Sequence, residues 1–242
     1  MSTYRIGVLG GDGIGPEVTA EGVKVLKRVS SLFGFGIELI DYPFGADHYL
    51  KTKEMIPDTA FSEMKQLDAI LLGAIGDPRF DPGFLEFGIV GRLRFDLDLY
   101  VNLRPIKLYA EHLCPLKDKK PEQLNILVVR ENTEDAYRSK PRIENKGTPD
   151  EVSAQEMYYT RRGTERIIRY AFGAAYGRPR KKLTLVDKAN AIRAHDLYRR
   201  VFEEVGREYP QVQRDTAFVD ACCMWMIKNP ESFDTIVTTN MF

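Results

Sequence analysis

The sequence predicts an α/β fold built around a parallel sheet. Short apolar runs alternate with segments of helical periodicity along most of the 242 residues, and several runs are apolar at consecutive positions. A strand that is apolar on both faces is typical of a parallel sheet covered by helices on both sides. A chain of this length can bury a sizeable core, as one large domain or as two smaller ones.

The first strand and helix illustrate the pattern. Residues 4–9 form an apolar run that stops at a glycine-rich turn, and Pro16 suits the first turn of a helix. The apolar positions that then recur at helical spacing are Val18, Val25, Leu26, Val29, Leu32 and Phe33. The glycine-rich turn indicates either a contact with a cofactor or a purely structural role. A dinucleotide fingerprint would need a glycine where Pro16 stands.

The remaining elements follow from the same reasoning. We predict further strands at 37–42, 67–72, 124–129, 183–186, 216–219 and 235–238. We predict helices at about 154–176 and at 196–205. The polar segment 138–153 is expected to be a mobile loop or an arm that packs on a second subunit. The chain stops four residues after the last strand, so we expect that strand to expose apolar surface that a following helix should cover.

Composition excludes several classes of protein. Basic and acidic residues balance at 35 each, so no overall field favours nucleic acid or an anionic membrane. Three cysteines give neither a disulfide framework nor a metal-ligand spacing. The sequence lacks an apolar stretch of membrane-spanning length and a signal peptide at its start. We therefore expect a cytoplasmic protein without nucleic-acid or membrane partners.

Three arginines indicate a site for a small acid. Arg94 and Arg104 flank an alternating apolar run, and an even spacing on extended chain would place both side chains on one face. Arg130 follows the predicted strand 124–129. A guanidinium pairs with a carboxylate in bidentate fashion, so the arrangement favours a di- or tricarboxylic acid. The alternative is that each arginine makes an ordinary surface ion pair.

Two further segments place polar side chains after buried strands. Lys188 and Asn190 follow strand 183–186, where the lysine could act as a base, hold an oxyanion, or form a surface salt bridge. Asp220 follows strand 216–219 and could bind a metal or cap a helix.

Taken together, five spaced segments resemble the β-decarboxylating dehydrogenases, a family that acts on 3-isopropylmalate, isocitrate, homoisocitrate and tartrate. The resemblance covers essentially the whole chain. The segments, in order, are GDGIGPE at 11–17, LRFDLDLYVNLRP at 93–105, VRENTE at 129–134, VDKAN at 186–190 and VDA at 219–221.

The resemblance implies an isopropylmalate dehydrogenase-like two-domain α/β fold with a parallel or mixed sheet. It implies a cofactor-side domain at 1–102, incomplete here, and a substrate and dimerisation domain at 103–242. The branch that oxidatively decarboxylates 3-isopropylmalate in leucine biosynthesis is the most similar, and residues 88–92 lack the serine and asparagine of the isocitrate branch. The alternatives are a tartrate or D-malate type of the same family and a non-catalytic dimerising remnant.

The resemblance also implies roles for individual residues in a homodimer with a shared active site. The substrate carboxylates would be bound by Arg94, Arg104 and Arg130. Tyr137 would protonate the enol, and Lys188 would take the hydroxyl proton. Asp220 would contact the substrate and a divalent metal, Mg²⁺ or Mn²⁺. NAD would contact Ile14 and Asn190.

The chain departs from the family pattern at two places. Val90 and Gly91 stand where leucines usually precede the first arginine, so the pocket for the substrate's 3-substituent is expected to be larger or reshaped. Family chains continue past Phe242 with two more metal-binding aspartates and the adenosine-binding loop. We therefore expect a C-terminally truncated chain that lacks dehydrogenase activity as given.

Overall fold

The computed structural model describes residues 2–242. The chain divides into two compact units, the first ending at Asp98 and the second beginning at Leu99. Both are mixtures of strands and helices, as the sequence predicts. None of the helices within the described range is long and apolar enough to cross a membrane.

The first unit contains a three-stranded parallel sheet in the order β2-β1-β3. Its elements are β1 (Thr3–Gly11), α1 (Gly15–Phe33), β2 (Gly36–Asp41), α2 (Ala46–Thr52), α3 (Asp58–Met64), β3 (Ala69–Ala74), a π-helical segment (Glu86–Gly91) and α4 (Arg92–Asp96). The three predicted strands and the first predicted helix are therefore confirmed, with ends shifted by up to two residues.

The glycine-rich turn after β1 packs directly against the end of β3. Gly11 has a φ of 74°, and a Cβ on it would lie 2.1 Å from the carbonyl oxygen of Ala74. A Cβ on Gly15 would lie 2.1 Å from the carbonyl oxygen of Gly10. Only glycine fits such positions. Packing against the ends of β1 and β3 therefore accounts for these two glycines.

The second unit contains a five-stranded mixed sheet in the order β4-β5-β10-β8-β9, in which only β4 runs antiparallel to its neighbour. Its elements are β4 (Val101–Lys107), β5 (Asn125–Glu131), β6 (Arg142–Glu144), β7 (Val152–Ala154), α5 (Arg161–Tyr176), β8 (Lys182–Asp187), α6 (Asp196–Gly206), β9 (Gln213–Phe218), α7 (Val219–Lys228) and β10 (Thr235–Thr238).

Helices cover both faces of this sheet. On one face Val237 packs among side chains of α5 and α6, and on the other Ile236 packs with Cys222 of α7. Strand β10 is central, pairs on both edges and is buried along its whole length. The expectation that this strand would expose apolar surface is therefore wrong, because α5, α6 and α7 precede it in the chain and already cover it.

Two predictions of local structure are also wrong, and one helix was not predicted. Arg94 lies in α4, and the chain becomes extended only after a turn at Asp98, where φ is 50°. The helix predicted from residue 154 begins at Arg161, and residues 152–154 instead pair with β6 in a two-stranded antiparallel arm. Residues 219–228 form a helix that was not predicted.

The start of α5 is fixed by two polar contacts. The hydroxyl of Thr160 accepts the N–H of Gly163 and donates to the Glu134 carboxylate. Glu134 lies directly over Gly163, where an added Cβ would come within 2.3 Å of the carboxylate. These contacts explain why the helix begins seven residues later than its apolar pattern predicts.

We expect Gly163→Ala to destabilise the second unit by about 2 kcal/mol, because the methyl group must displace the buried Glu134 carboxylate. Gly173→Ala is the matched control on the same helix. It has open space around its Cβ position and should gain about 0.5 kcal/mol or more. Urea unfolding followed by the fluorescence of Trp225, the one tryptophan of the chain, measures both. Equal midpoints for the two variants would contradict the expectation.

Candidate active site

The polar residues of interest lie at the carboxyl edge of the second unit's sheet. Strands β5, β10, β8 and β9 are parallel neighbours, so the residues that follow them share one edge. This edge is where open α/β sheets bind ligands. It brings together the Arg130 region, Asn240, Lys188 and Asp220.

Arg104 and Arg130 lie on one face of the sheet. In the antiparallel pair of β4 and β5, Asn102 is opposite Arg130 and Arg104 is opposite Val128. The two arginines are therefore diagonal neighbours, within reach of a shared anion for long side chains. Arg104 Nε donates to Asn102 Oδ1 at 3.0 Å. The structure thus brings two of the three predicted arginines together through strand register.

Arg130 also contacts the segment that follows β10. Its guanidinium donates to the carbonyl oxygens of Asn240 and, at 3.1 Å, of Phe242. It lies 5.5 Å from the centroid of the Tyr137 ring, which suits a cation–π contact. Arg130, Tyr137 and the segment after β10 therefore form one contact group.

Two predicted site residues belong to the first unit. Arg94 is half-buried in α4, and Ile14 caps the start of α1 with an exposed side chain. The convergence of Arg94 with the other arginines stays a prediction, as do its role and that of Ile14.

Lys188 and Asp220 form a direct ion pair. Lys188 Nζ donates to Asp220 Oδ1 at 2.7 Å. Asp220 lies shortly after β9, in the first turn of α7, because the helix begins at Val219. The hydrogen bond from Lys188 lowers the pKa of the Asp220 carboxyl. Asn190 is exposed in the turn that follows Lys188.

The Lys188 loop is anchored by residues that the sequence analysis did not single out. Asp187 is fully buried and accepts the N–H of Ala189 at 2.9 Å. Arg199 of α6 donates to both carboxylate oxygens of Asp187, at 2.7 and 3.0 Å. His195 Nδ1 accepts the N–H of Lys188 at 3.0 Å. Asp187 lies within the VDKAN segment, but His195 belongs to no recognisable pattern.

Buried carboxylates shape the loop between β5 and Tyr137. Glu131 accepts the N–H and hydroxyl of Thr133, and Glu134 accepts the N–H of Thr160. Burial raises the pKa of Glu131, against the effect of these hydrogen bonds. The loop is therefore held by its own side chains, which sets the start of the Tyr137 segment.

In the first unit, Asp12 fixes the turn between β1 and α1. Its Oδ1 accepts the N–H of Ala46 at 2.6 Å, and its Oδ2 accepts the N–H of Gly76 at 3.0 Å. One carboxylate thus joins the loops after β1, β2 and β3. A rigid turn with the exposed Ile14 beside it suits contact with a cofactor, although it lacks the glycine spacing of a phosphate-binding loop.

The described residues do not form a complete metal site. Within residues 2–242, no group of three or more histidine, cysteine, aspartate or glutamate side chains is placed to hold a metal ion. Magnesium requires near-octahedral oxygen coordination. Asp220 therefore offers one carboxylate, which does not suffice for such an ion.

Paired arginines and a lysine–aspartate pair at the carboxyl edge of an α/β sheet define a class of enzyme that acts on small organic acids. Comparison with known proteins narrows this class. Residues 5–242 match the isocitrate/isopropylmalate dehydrogenase family. The chain belongs to this family, whose members are decarboxylating dehydrogenases.

Named relatives extend the comparison. The 3-isopropylmalate dehydrogenase of Thermobifida fusca is 47% identical over 241 residues, which is 99% of this chain and 68% of the relative. The enzyme of the same name from Corynebacterium glutamicum is 46% identical over 98% of this chain and 68% of its own length.

Solved structures agree on the fold. An isocitrate dehydrogenase from Methylococcus capsulatus matches with a TM-score of 0.85 and 31% identity, over 98% of this chain and 67% of the other. A β-decarboxylating dehydrogenase from Thermococcus kodakarensis matches with a TM-score of 0.75 and 30% identity, over 98% and 64%. The predicted fold class and family resemblance are confirmed.

Proposed function

We propose that the protein acts in the NAD-dependent oxidative decarboxylation of 3-isopropylmalate to 2-oxo-4-methylpentanoate, a step of leucine biosynthesis in the cytoplasm. The observation that carries the proposal is the carboxyl edge of the second sheet, where Arg104 and Arg130 share a face and Lys188 pairs with Asp220. The names of the Thermobifida and Corynebacterium relatives support the choice of substrate.

The chemistry follows from the residues. Arg104 and Arg130 bind the substrate carboxylates. Lys188 takes the proton of the C2 hydroxyl, and NAD, when bound, would accept the hydride from C2. The resulting β-keto acid loses carbon dioxide. The hydroxyl of Tyr137 then gives its proton to the enol carbon.

We propose that the site is shared between two subunits. Arg130 on β5 and Asp220 after β9 are separated by three inter-strand spacings, roughly 14 Å, which is wide for one small dicarboxylate. Beside Asp220, helix α7 exposes the large apolar side chains of Met224, Trp225 and Ile227. Such a face suits burial against a second copy. In the homodimer, Lys188 and Asp220 of one subunit would reach the arginines of the other.

We propose a requirement for Mg²⁺ or Mn²⁺, toward which Asp220 would contribute one ligand, and for NAD, which Ile14 and Asn190 would contact. Since the described residues supply a single carboxylate, we expect the 242 residues by themselves to show no turnover. No nucleic-acid or membrane partner is proposed.

The test is a pair of assays. The 242-residue chain is compared with an extended enzyme, in which it is fused to the part of the Thermobifida fusca relative that lies beyond the matched region. With 3-isopropylmalate, NAD and magnesium, the extended enzyme should form NADH at about 1 per second or faster, and the chain alone should form none. An inactive but dimeric extended enzyme would instead favour the non-catalytic remnant.

A second candidate substrate class, tartrate or D-malate, is favoured by Val90 and Gly91. A Cβ on Gly91 would meet Phe87 only at an ordinary 3.6 Å, so a larger side chain has room at its first atom. Val90 and Gly91 therefore fill less space than a pair of leucines would.

We expect the double variant Val90→Leu, Gly91→Leu of the extended enzyme to raise kcat/KM for 3-isopropylmalate about tenfold, because added methylene groups contact the isopropyl group. The value for D-malate in the same variant serves as control and should stay unchanged. A gain for both substrates, or for D-malate alone, would show that these positions do not face the 3-substituent.

A further inference from the structure

His195 is buried at the start of α6, and its two ring nitrogens face different parts of the second unit. The backbone N–H of Lys188 donates to Nδ1 at 3.0 Å. The hydroxyl oxygen of Tyr159 lies 2.9 Å from Nε2. The side chain has no exposed surface, so water cannot take the place of either partner.

These partners determine where the ring carries its proton. An N–H directed at Nδ1 requires a lone pair there, so the proton of the neutral ring lies on Nε2. Nε2–H then donates to the hydroxyl oxygen of Tyr159. Burial lowers the pKa of His195 and favours this neutral ring, against the charges of Asp187 and Asp135.

The same contacts connect two loops that carry proposed catalytic groups. Asp135 accepts the N–H of Ala136 at 2.8 Å and the N–H of Met241 at 3.1 Å. Tyr137 is the residue directly after Ala136. Hydrogen bonds run from the backbone of Lys188 through the imidazole to Tyr159. The N–H of Asp135 donates to the carbonyl oxygen of the adjoining Tyr158 at 3.1 Å, which connects this segment to the loop of Tyr137.

We propose that His195 is a positioning residue. As a neutral ring protonated on Nε2, it holds the backbone of Lys188 through Nδ1 and couples the Lys188 loop to the Tyr137 loop through Tyr159 and Asp135. The catalytic meaning of this coupling rests on the proposed function, in which Lys188 and Tyr137 handle protons. The hydrogen-bond arrangement itself does not depend on it.

The tautomer is tested first, on the unmodified 242-residue chain. Long-range ¹H–¹⁵N correlation resolves the ring nitrogens of its three histidines, and His48→Gln and His112→Gln assign the other two. We expect an unprotonated Nδ1 and a protonated Nε2 for His195 at neutral pH. A proton on Nδ1, in either the neutral or the charged ring, would overturn the proposal.

A pair of isosteric amides then separates the two ring nitrogens. The Oδ1 of His195→Asn can stand in for Nδ1, whereas the longer amide of His195→Gln reaches toward Nε2 and leaves the Lys188 N–H without its acceptor. We expect the Lys188 amide to exchange with solvent about tenfold faster in His195→Gln than in His195→Asn, as loss of one hydrogen bond predicts.

The neighbouring amide of Ala189 is the internal control, because its acceptor is Asp187. Equal Lys188 exchange in the two variants, or equal acceleration of Ala189, would contradict positioning by Nδ1. If either variant fails to fold, the tautomer of the unmodified chain decides. Neither the tautomer measurement nor the amide exchange measurement depends on catalytic activity. An inactive extended enzyme would therefore count against the proposed function and not against the role of His195.

Discussion

Lys188→Met in the extended enzyme should lower kcat for 3-isopropylmalate by about 10²- to 10⁴-fold, the range that a positioned general base contributes. Methionine keeps the length and most of the apolar stem but cannot accept the hydroxyl proton. KM should change far less than kcat, because we assign binding of the carboxylates to the arginines and not to Lys188. Steady-state NADH formation at saturating NAD and magnesium measures both constants.

Lys24→Met is the matched control for Lys188→Met. Lys24 is exposed on α1 and pairs with Glu21 one turn away, so its loss should leave kcat within about twofold. A Lys188→Met enzyme that retained near-normal kcat would remove Lys188 from the chemistry. A large rise in KM alone would assign it to substrate binding instead.

Asp187→Ala should destabilise the second unit by about 3 kcal/mol. The substitution removes both guanidinium contacts of Arg199 and leaves the N–H of Ala189 without its acceptor in a buried position. Urea unfolding monitored by Trp225 fluorescence measures the change in the free energy of unfolding.

Asp196→Ala is the control for this experiment. Its carboxylate forms an exposed pair with Arg200 one turn along α6, which is worth about 0.5 kcal/mol. If the two variants lost equal stability, the buried carboxylate of Asp187 would not be the anchor of the Lys188 loop that the structure indicates.

Much of the fold was predictable because buried parallel strands are short, apolar and separated by periodic helices. The run at 93–105 was predicted to be extended because its apolar residues alternate. So short a run does not distinguish a strand from a helical turn, and Arg94 in fact lies in a helix. Helix α7 was missed because its sequence, rich in cysteine, methionine and tryptophan, is apolar on nearly all sides and shows no helical period.

The candidate site was predictable where a motif or a strand end marked it. Lys188 and Asp220 were singled out because each follows a strand, and the structure brings them into contact. The shared face of Arg104 and Arg130 depends on the register of β4 and β5, which the sequence does not reveal. Nothing in the sequence marks His195 as a functional residue. Its role depends on hydrogen bonds to residues in other segments of the chain, and the structure alone identifies those residues.

We propose that the arginines of one subunit and Lys188 of the other form one site. Mixing two inactive forms of the extended enzyme, Arg104→Ala and Lys188→Met, under conditions of subunit exchange tests it directly. We expect recovery of about a quarter of the unmodified rate, because random pairing makes half of the dimers mixed and each mixed dimer holds one intact site. If mixing restores no activity although subunits exchange, each site lies within a single chain and the account is contradicted.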